Sequence, residues 1–146
     1  MSQYASVSQR DVPVQFDSSV SLSVASLVGR VLLSAIYLLS GLSKVAAPAA
    51  TIGYISSAGL PFAPLGFAIA VVVEILGGAA LIAGYRTRFV AAVLAVFTVA
   101  TALAFHNHFA DQDQFIHFFK NIAMTGGLLQ VFAFGAGRFG LDARRT

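Results

Sequence analysis

Cysteine is absent from the chain. That excludes structural disulfides, thiol–disulfide relays, thiolate metal ligands and iron–sulfur clusters built from this polypeptide. Any redox role therefore needs a bound cofactor or a partner subunit. Charge is scarce too: Asp, Glu, Lys and Arg make up 10% of the 146 residues, against 58% hydrophobic residues and a mean hydropathy of +0.82. A soluble domain carries about a quarter charged residues, so there is too little polar surface here to cover a water-exposed globule. The formal net charge is +3, but the basic residues are scattered and flank apolar runs. That is no footprint for nucleic acid, and no nucleic-acid partner is expected.

What is present is long uncharged sequence. Residues 45–73, 89–110 and 121–137 contain no Asp, Glu, Lys or Arg. A helix crosses a bilayer with roughly 17–25 mostly apolar residues, because only internal hydrogen bonds satisfy its backbone there. The expected fold is an all-α integral membrane protein, a four-helix up-down bundle with spans at about 24–45, 65–84, 88–107 and 117–136. Residues 1–23 are polar and serine-rich and read as a flexible tail without the basic start and cleavage site of a secretory signal. The membrane domain covers 24–142, and a basic tail, 143–146, follows. Between spans one and two, Pro48, Gly59, Pro61 and Pro64 break a continuous helix and leave room for a short interfacial one. The link "YRTR" makes spans two and three antiparallel neighbours. With four spans, Arg10, Arg30, Arg86, Arg88, Arg138, Arg144 and Arg145 share one side and Lys44 and Lys120 the other. Positive charge marks the cytoplasmic side, so both termini are expected there.

Several polar residues lie within the spans. A charge at the centre of a spanning helix costs about 2.5–3.5 kcal/mol on insertion scales, so such residues turn inward and find partners. Arg30, Ser34, Tyr37, Gly41 and Lys44 are spaced 4, 3, 4 and 3 apart, which puts them on one helical face. Glu74 sits mid-span, with Gly77 and Gly78 one turn away where a neighbouring helix can approach closely. Counted from the cytoplasmic span ends at 1.5 Å per residue, Glu74 lies roughly 15 Å deep and Arg30 about 9 Å. That predicts a Glu74–Arg30 pair, with Lys44 a poorer match nearer the opposite surface. The pair serves either to fix helix register or to poise Glu74 as a proton-accepting or ligand-binding carboxylate.

The stretch "ALAFHNHFADQDQFIHFFKN" holds all three histidines, His106, His108 and His117. His106 and His108 point to nearly opposite faces of a helix, and with His117, Asp111 and Asp113 they match no metal motif. No metal is assigned. A haem would need two axial ligands at one depth on different helices, a condition His106 and His117 meet only crudely. His117, Lys120 and Asn121 share one face at the outer end of span four, and Lys44 reaches similar depth on span one. Two lysines, an asparagine and one or two histidines can line an outward pocket for an anionic or carbonyl-bearing ligand. The plainer reading has both lysines snorkel to lipid phosphates.

Three segments, "GRVLLSAIYLLSGLSKV" (29–45), "EILGGAALIAGYRTRFVAAVLAVFTVATALAFHNHFA" (74–110) and "FFKNIAMTGGLLQVFAFGAGRFGLD" (118–142), together resemble the DoxX family of small bacterial membrane proteins. The combination of E-x-x-G-G, T-R, F-H and K-N–G-G elements carries the likeness. By position, the family's characteristic polar residues fall on Arg30, Lys44, Glu74, Thr87, Arg88, His106, Lys120, Asn121 and Asp142. His108 departs from the family pattern. The resemblance implies four membrane helices in the bacterial inner membrane. It also implies, by analogy, association with quinone-linked sulfur oxidation or with redox-stress complexes of soluble enzymes.

The reading is thus a multi-pass inner-membrane subunit that binds a quinone or similar small ligand and acts with partner oxidoreductases rather than as a complete enzyme. Glu74 and His106 are the candidate acid–base groups; Arg30, Tyr37, Lys44, Lys120 and Asn121 are the candidate ligand-binding residues. Homo-oligomerisation stays open. The alternatives are a small proton-coupled transporter or permease, which uses the stripe from Arg30 to Lys44 as its pathway, and a structural or assembly subunit.

Overall fold

The computed structural model describes residues 18–144, and these form helices and connecting turns without a strand. The helices are α1 (Ser18–Ala46), α2 (Pro48–Ser57), α3 (Ala63–Ala83), α4 (Thr87–Phe105) and α5 (Gln112–Phe134), followed by a short 3-10 turn at Leu141–Arg144. The first helix starts earlier than expected: residues 18–23, read from composition as part of a polar tail, are its first turns. The rest of that tail, residues 1–17, lies outside the described residues, as do 145 and 146.

Local chemistry sets the boundaries. Pro48 and Pro64 open α2 and α3 in their first turns, where a missing N–H costs nothing. Gly84 closes α3 at φ +66°, the left-handed conformation that glycine takes without penalty. The Asp111 carboxylate caps α5 by accepting from the Asp113 and Gln114 N–H groups at 2.8 and 3.4 Å. The short α2 occupies the interval that the sequence reserves for an interfacial helix.

The helices α1, α3 and α4 (Val20–Ala46, Ala63–Ala83 and Thr87–Phe105 by their apolar extents) are long and apolar enough to cross a membrane. At 23 residues α5 has the length, but its first three turns carry Gln112, Asp113, Gln114, His117, Lys120 and Asn121. Burial is inverted relative to a soluble bundle. Arg30, Ser34, Glu74, Thr87 and Thr98 are buried, while Leu22, Leu32, Leu39, Leu76, Val96 and Phe134 are exposed. Water would reject that distribution and hydrocarbon favours it.

Consecutive long helices run antiparallel. Arg30 and Lys44 on α1 reach Leu81 and Glu74 on α3. His106 at the end of α4 meets Gln114 at the start of α5, and Arg88 lies beside Gly135 at the other end. The core is small and lies toward the Arg30 end: Leu81, Leu94 and Leu128 are fully buried, with Ala91, Ala95, Met124 and Tyr37 around them. Gly41 makes the α1–α3 approach possible, since a methyl group there would fall 2.7 Å from Ile75 Cγ1.

Candidate functional site

At the end of the bundle opposite Arg30, the helices part around a cavity of about 520 Å³. Its floor is built from α1 and α3. Lys44 Nζ lies 2.9 Å from both carboxylate oxygens of Glu74 and donates to Ser40 Oγ at 2.7 Å; Ser40 in turn donates to Glu74 Oε1 at 3.3 Å. The two side chains are 23% and 7% exposed, so the cation retains access to the cavity while the carboxylate is nearly enclosed. Beside them the Tyr37 and Thr98 hydroxyls are hydrogen-bonded at 2.5 Å, and Thr98 donates back to Leu94 O at 2.7 Å. Tyr37 is held in place from α4 although its ring belongs to α1.

The outer rim comes from α2, α4 and α5. His106 ends α4, with Nδ1 2.8 Å from Gln114 Oε1; donation to that amide oxygen leaves Nε2 as the ring nitrogen able to accept. The His106 ring stacks on His117, with centroids 5.1 Å apart. Lys120 Nζ donates to His117 Nδ1 at 3.0 Å, and Asn121 lines the wall one residue on. Tyr54 of α2 stacks on Phe105 of α4 at 5.4 Å, which draws the short helix over the opening. Ile36, Ile69, Phe97 and Met124 complete an apolar lining. Such a space is large enough for a ring-sized amphiphile, and donors and one acceptor stand at its polar end.

Six of the residues singled out from the sequence therefore surround one cavity: Tyr37, Lys44, Glu74, His106, Lys120 and Asn121. Arg30 does not. The expected Glu74–Arg30 pair is absent, and Lys44 holds Glu74 instead. Depths counted from the two span ends agree only if those ends are level. In the structure α1 begins at Ser18 and overhangs, so Arg30 lies at the C-terminus of α3, where helix carbonyls lack intrahelical partners. Its guanidinium, with Arg30 fully buried, donates to Leu81 O at 2.8 Å, Ile82 O at 2.9 Å and Phe139 O at 3.1 Å. Ser34, in the same stripe, is buried on the α1–α3 interface, away from the cavity lining.

His108 is exposed and outside the lining. No three His, Asp or Glu side chains among the described residues gather closely enough for a metal. Four contributors escaped the sequence reading. Ser40 stands one turn before Lys44, and Thr98 is a hydroxyl in mid-span; both positions carry a usable signal, a polar group in hydrocarbon that needs a partner. The contributions of Gln114 and Tyr54 depend on tertiary placement that no local pattern reveals.

These features define an all-helical integral membrane protein with a polar cluster enclosed among its helices. The chain belongs to the DoxX family, whose model matches residues 25–107. It is 34% identical over 121 residues to the inner membrane protein YqjF of Escherichia coli (strain K12), which covers 82% of this chain and 90% of that protein. To YphA, another inner membrane protein of the same organism, it is 29% identical over 134 residues, 88% and 96% of the two chains. No solved structure matches the chain.

Proposed function

We propose that this protein is a four-span, inner-membrane, ligand-binding subunit with both termini in the cytoplasm, and that its outward cavity receives a quinone or a similar ring-bearing molecule on behalf of partner oxidoreductases. The observation that carries the reading is the convergence of His106, Lys120 and Asn121 with the Lys44–Glu74 pair on a single cavity with aromatic and aliphatic walls. The donor set fits a quinone. Lys120 and Asn121 supply donors to a ring oxygen, His106 Nε2 supplies an acceptor, and Tyr54, Phe97 and Phe105 offer faces to a ring. A quinone, when bound, supplies reversible electron and proton uptake at its ring oxygens.

The chain's own groups divide the remaining work. His106, oriented by Gln114, holds or releases a proton at Nε2 near the mouth. Glu74, neutralised by Lys44 and Ser40, positions the ammonium at the floor and is not the open proton acceptor that sequence alone suggests. Tyr37 and Thr98 close the floor. Beneath them, Leu81, Leu94 and Leu128 pack the interior toward Arg30, with Ser34 a lone buried hydroxyl between Tyr37 and Arg30, and that tight packing supports binding over the permease alternative.

The test is retention and rebinding of quinone by purified protein in lipid nanodiscs. Extraction and chromatography should recover quinone from the wild type. His106→Ala and Asn121→Leu should each weaken rebinding of a short-chain quinone by about 5–20-fold, the worth of one hydrogen bond in a desolvated site. Absence of both retained and rebound quinone sinks the proposal.

A further inference from the structure

We infer that the cavity takes an aromatic ring hydroxyl as its anion, with Lys120 as the counter-charge; this rests on the ligand-binding reading above and names the class of ligand for that site. The inference begins with the charges of the lining. Two cations, Lys44 and Lys120, face the cavity against one carboxylate, Glu74. The floor pair is mutually satisfied: Lys44 Nζ is 2.9 Å from both Glu74 oxygens and bonded to Ser40. Among the described residues Lys120 has no such carboxylate partner. Its ammonium meets an imidazole nitrogen, His117 Nδ1, at 3.0 Å, and a nitrogen that accepts from an ammonium belongs to an uncharged ring. The remaining polar rings around the cavity, His106, Tyr37 and Tyr54, are an imidazole and two phenols, so Glu74 is the one carboxylate in the lining.

The nearby carboxylates do not cancel the excess. Asp111 is committed to the start of α5, where it accepts from two backbone N–H groups, and neither Asp111 nor Asp113 belongs to the lining. One positive charge thus stands at the rim of a largely apolar space, where an anion loses less to water screening than it would at an open surface. To the carbonyl-accepting role proposed above, the Lys44–Glu74 pairing adds a preference for a ring oxygen that carries negative charge. It neutralises one lysine and leaves the other in excess, an arrangement that discriminates by charge. The aromatic walls, with Tyr54 stacked on Phe105, select a flat ring to carry that charge over an alkyl carboxylate.

The probe is 4-nitrophenol, whose coloured anion and colourless acid coexist near neutral pH, with 4-nitroanisole as its permanently neutral analogue. Both are titrated against the protein in nanodiscs of zwitterionic lipid, with empty nanodiscs as the reference. In the wild type, bound nitrophenol should ionise about one pH unit lower than in empty nanodiscs, a tenfold preference for the anion over the acid. Lys120 is exposed, so its replacement leaves the fold intact. Lys120→Arg should keep the shift and Lys120→Gln should abolish it, each read as the ratio of nitrophenol to 4-nitroanisole binding so that a loss of general affinity cancels. An unshifted ionisation in the wild type, or a shift that survives Lys120→Gln, overturns the inference alone. Failure of the wild type to bind nitrophenol, nitroanisole and a short-chain quinone overturns the cavity reading itself, and the inference falls with it.

Discussion

Glu74 is nearly enclosed in a helical bundle, where its oxygens meet the Lys44 ammonium and the Ser40 hydroxyl. The two partners of the pair are not equivalent. Lys44 keeps about a quarter of its side-chain surface and can turn to the cavity; Glu74 has nowhere to go. Removal of the lysine should therefore cost more than removal of the carboxylate. Lys44→Met is expected to lower stability by about 2–3 kcal/mol, because it strands a buried carboxylate, and Glu74→Gln by about 1 kcal/mol. The double variant should recover most of the Lys44→Met loss, and thermal unfolding of all four proteins in one detergent reads the coupling. Equal losses that simply add would show that the contact carries no coupling. The cluster was largely legible in the sequence because ionisable residues in hydrocarbon must turn inward; the choice between Lys44 and Arg30 was not. It depends on how far α1 overhangs α3, a matter of helix start and packing that depth estimates from span ends cannot supply.

At the scale of elements, the end of the bundle near Arg30 is tied by side chains that satisfy helix termini. Arg30 collects carbonyls from the end of α3 and from Phe139, while the Asp142 carboxylate accepts from the Arg86 and Thr87 N–H groups, both at 2.8 Å, and so caps α4. The Asp142 N–H returns to Gly84 O at 2.9 Å. Three chain segments distant in sequence, α1, the α3–α4 link and the turn after α5, are thereby held together. Arg30→Lys should fail to substitute, since one ammonium cannot span three carbonyls in the fixed fork that a guanidinium presents. A loss of about 2–3 kcal/mol is expected, near that of Arg30→Met. Asp142→Ala should cost about 1–2 kcal/mol and raise amide hydrogen exchange first in the opening turn of α4. Exchange that rises uniformly along the chain would refute a local capping role. The helices themselves could be read from the lengths of apolar runs and from Pro48, Gly59 and Pro64, because those signals are local. Asp142 stood out only through family resemblance, since its function is to meet a turn 55 residues away.

For the whole molecule, the closing turn also bears on how many times the chain crosses the bilayer. The composition of α5 is ambiguous, with an amphipathic first half and only its later turns continuously apolar. Geometry constrains it more tightly. Asp142 is bonded to the start of α4, and His106, which caps the end of α4, is bonded to Gln114 in the first turn of α5. The segment from 114 to 142 therefore returns along the full length of α4. At 1.5 Å per residue, the 23 residues of α5 extend about 34 Å, enough for a hydrocarbon core of about 30 Å. On the four-span reading proposed above, α5 crosses beside α4, and its polar first turns lie at the outer surface, where His117, Lys120 and Asn121 border the cavity mouth. The lack of cysteine makes this directly measurable, because a single introduced thiol is unique. Asn107→Cys, in the exposed link after α4, should react with a membrane-impermeant maleimide on intact spheroplasts. Arg144→Cys, in the exposed closing turn, should react only after permeabilisation. A three-span chain with α5 flat on the outer surface would label both thiols from outside. That result would contradict the bonds that join Asp142 to the start of α4 and the four-span assignment they support.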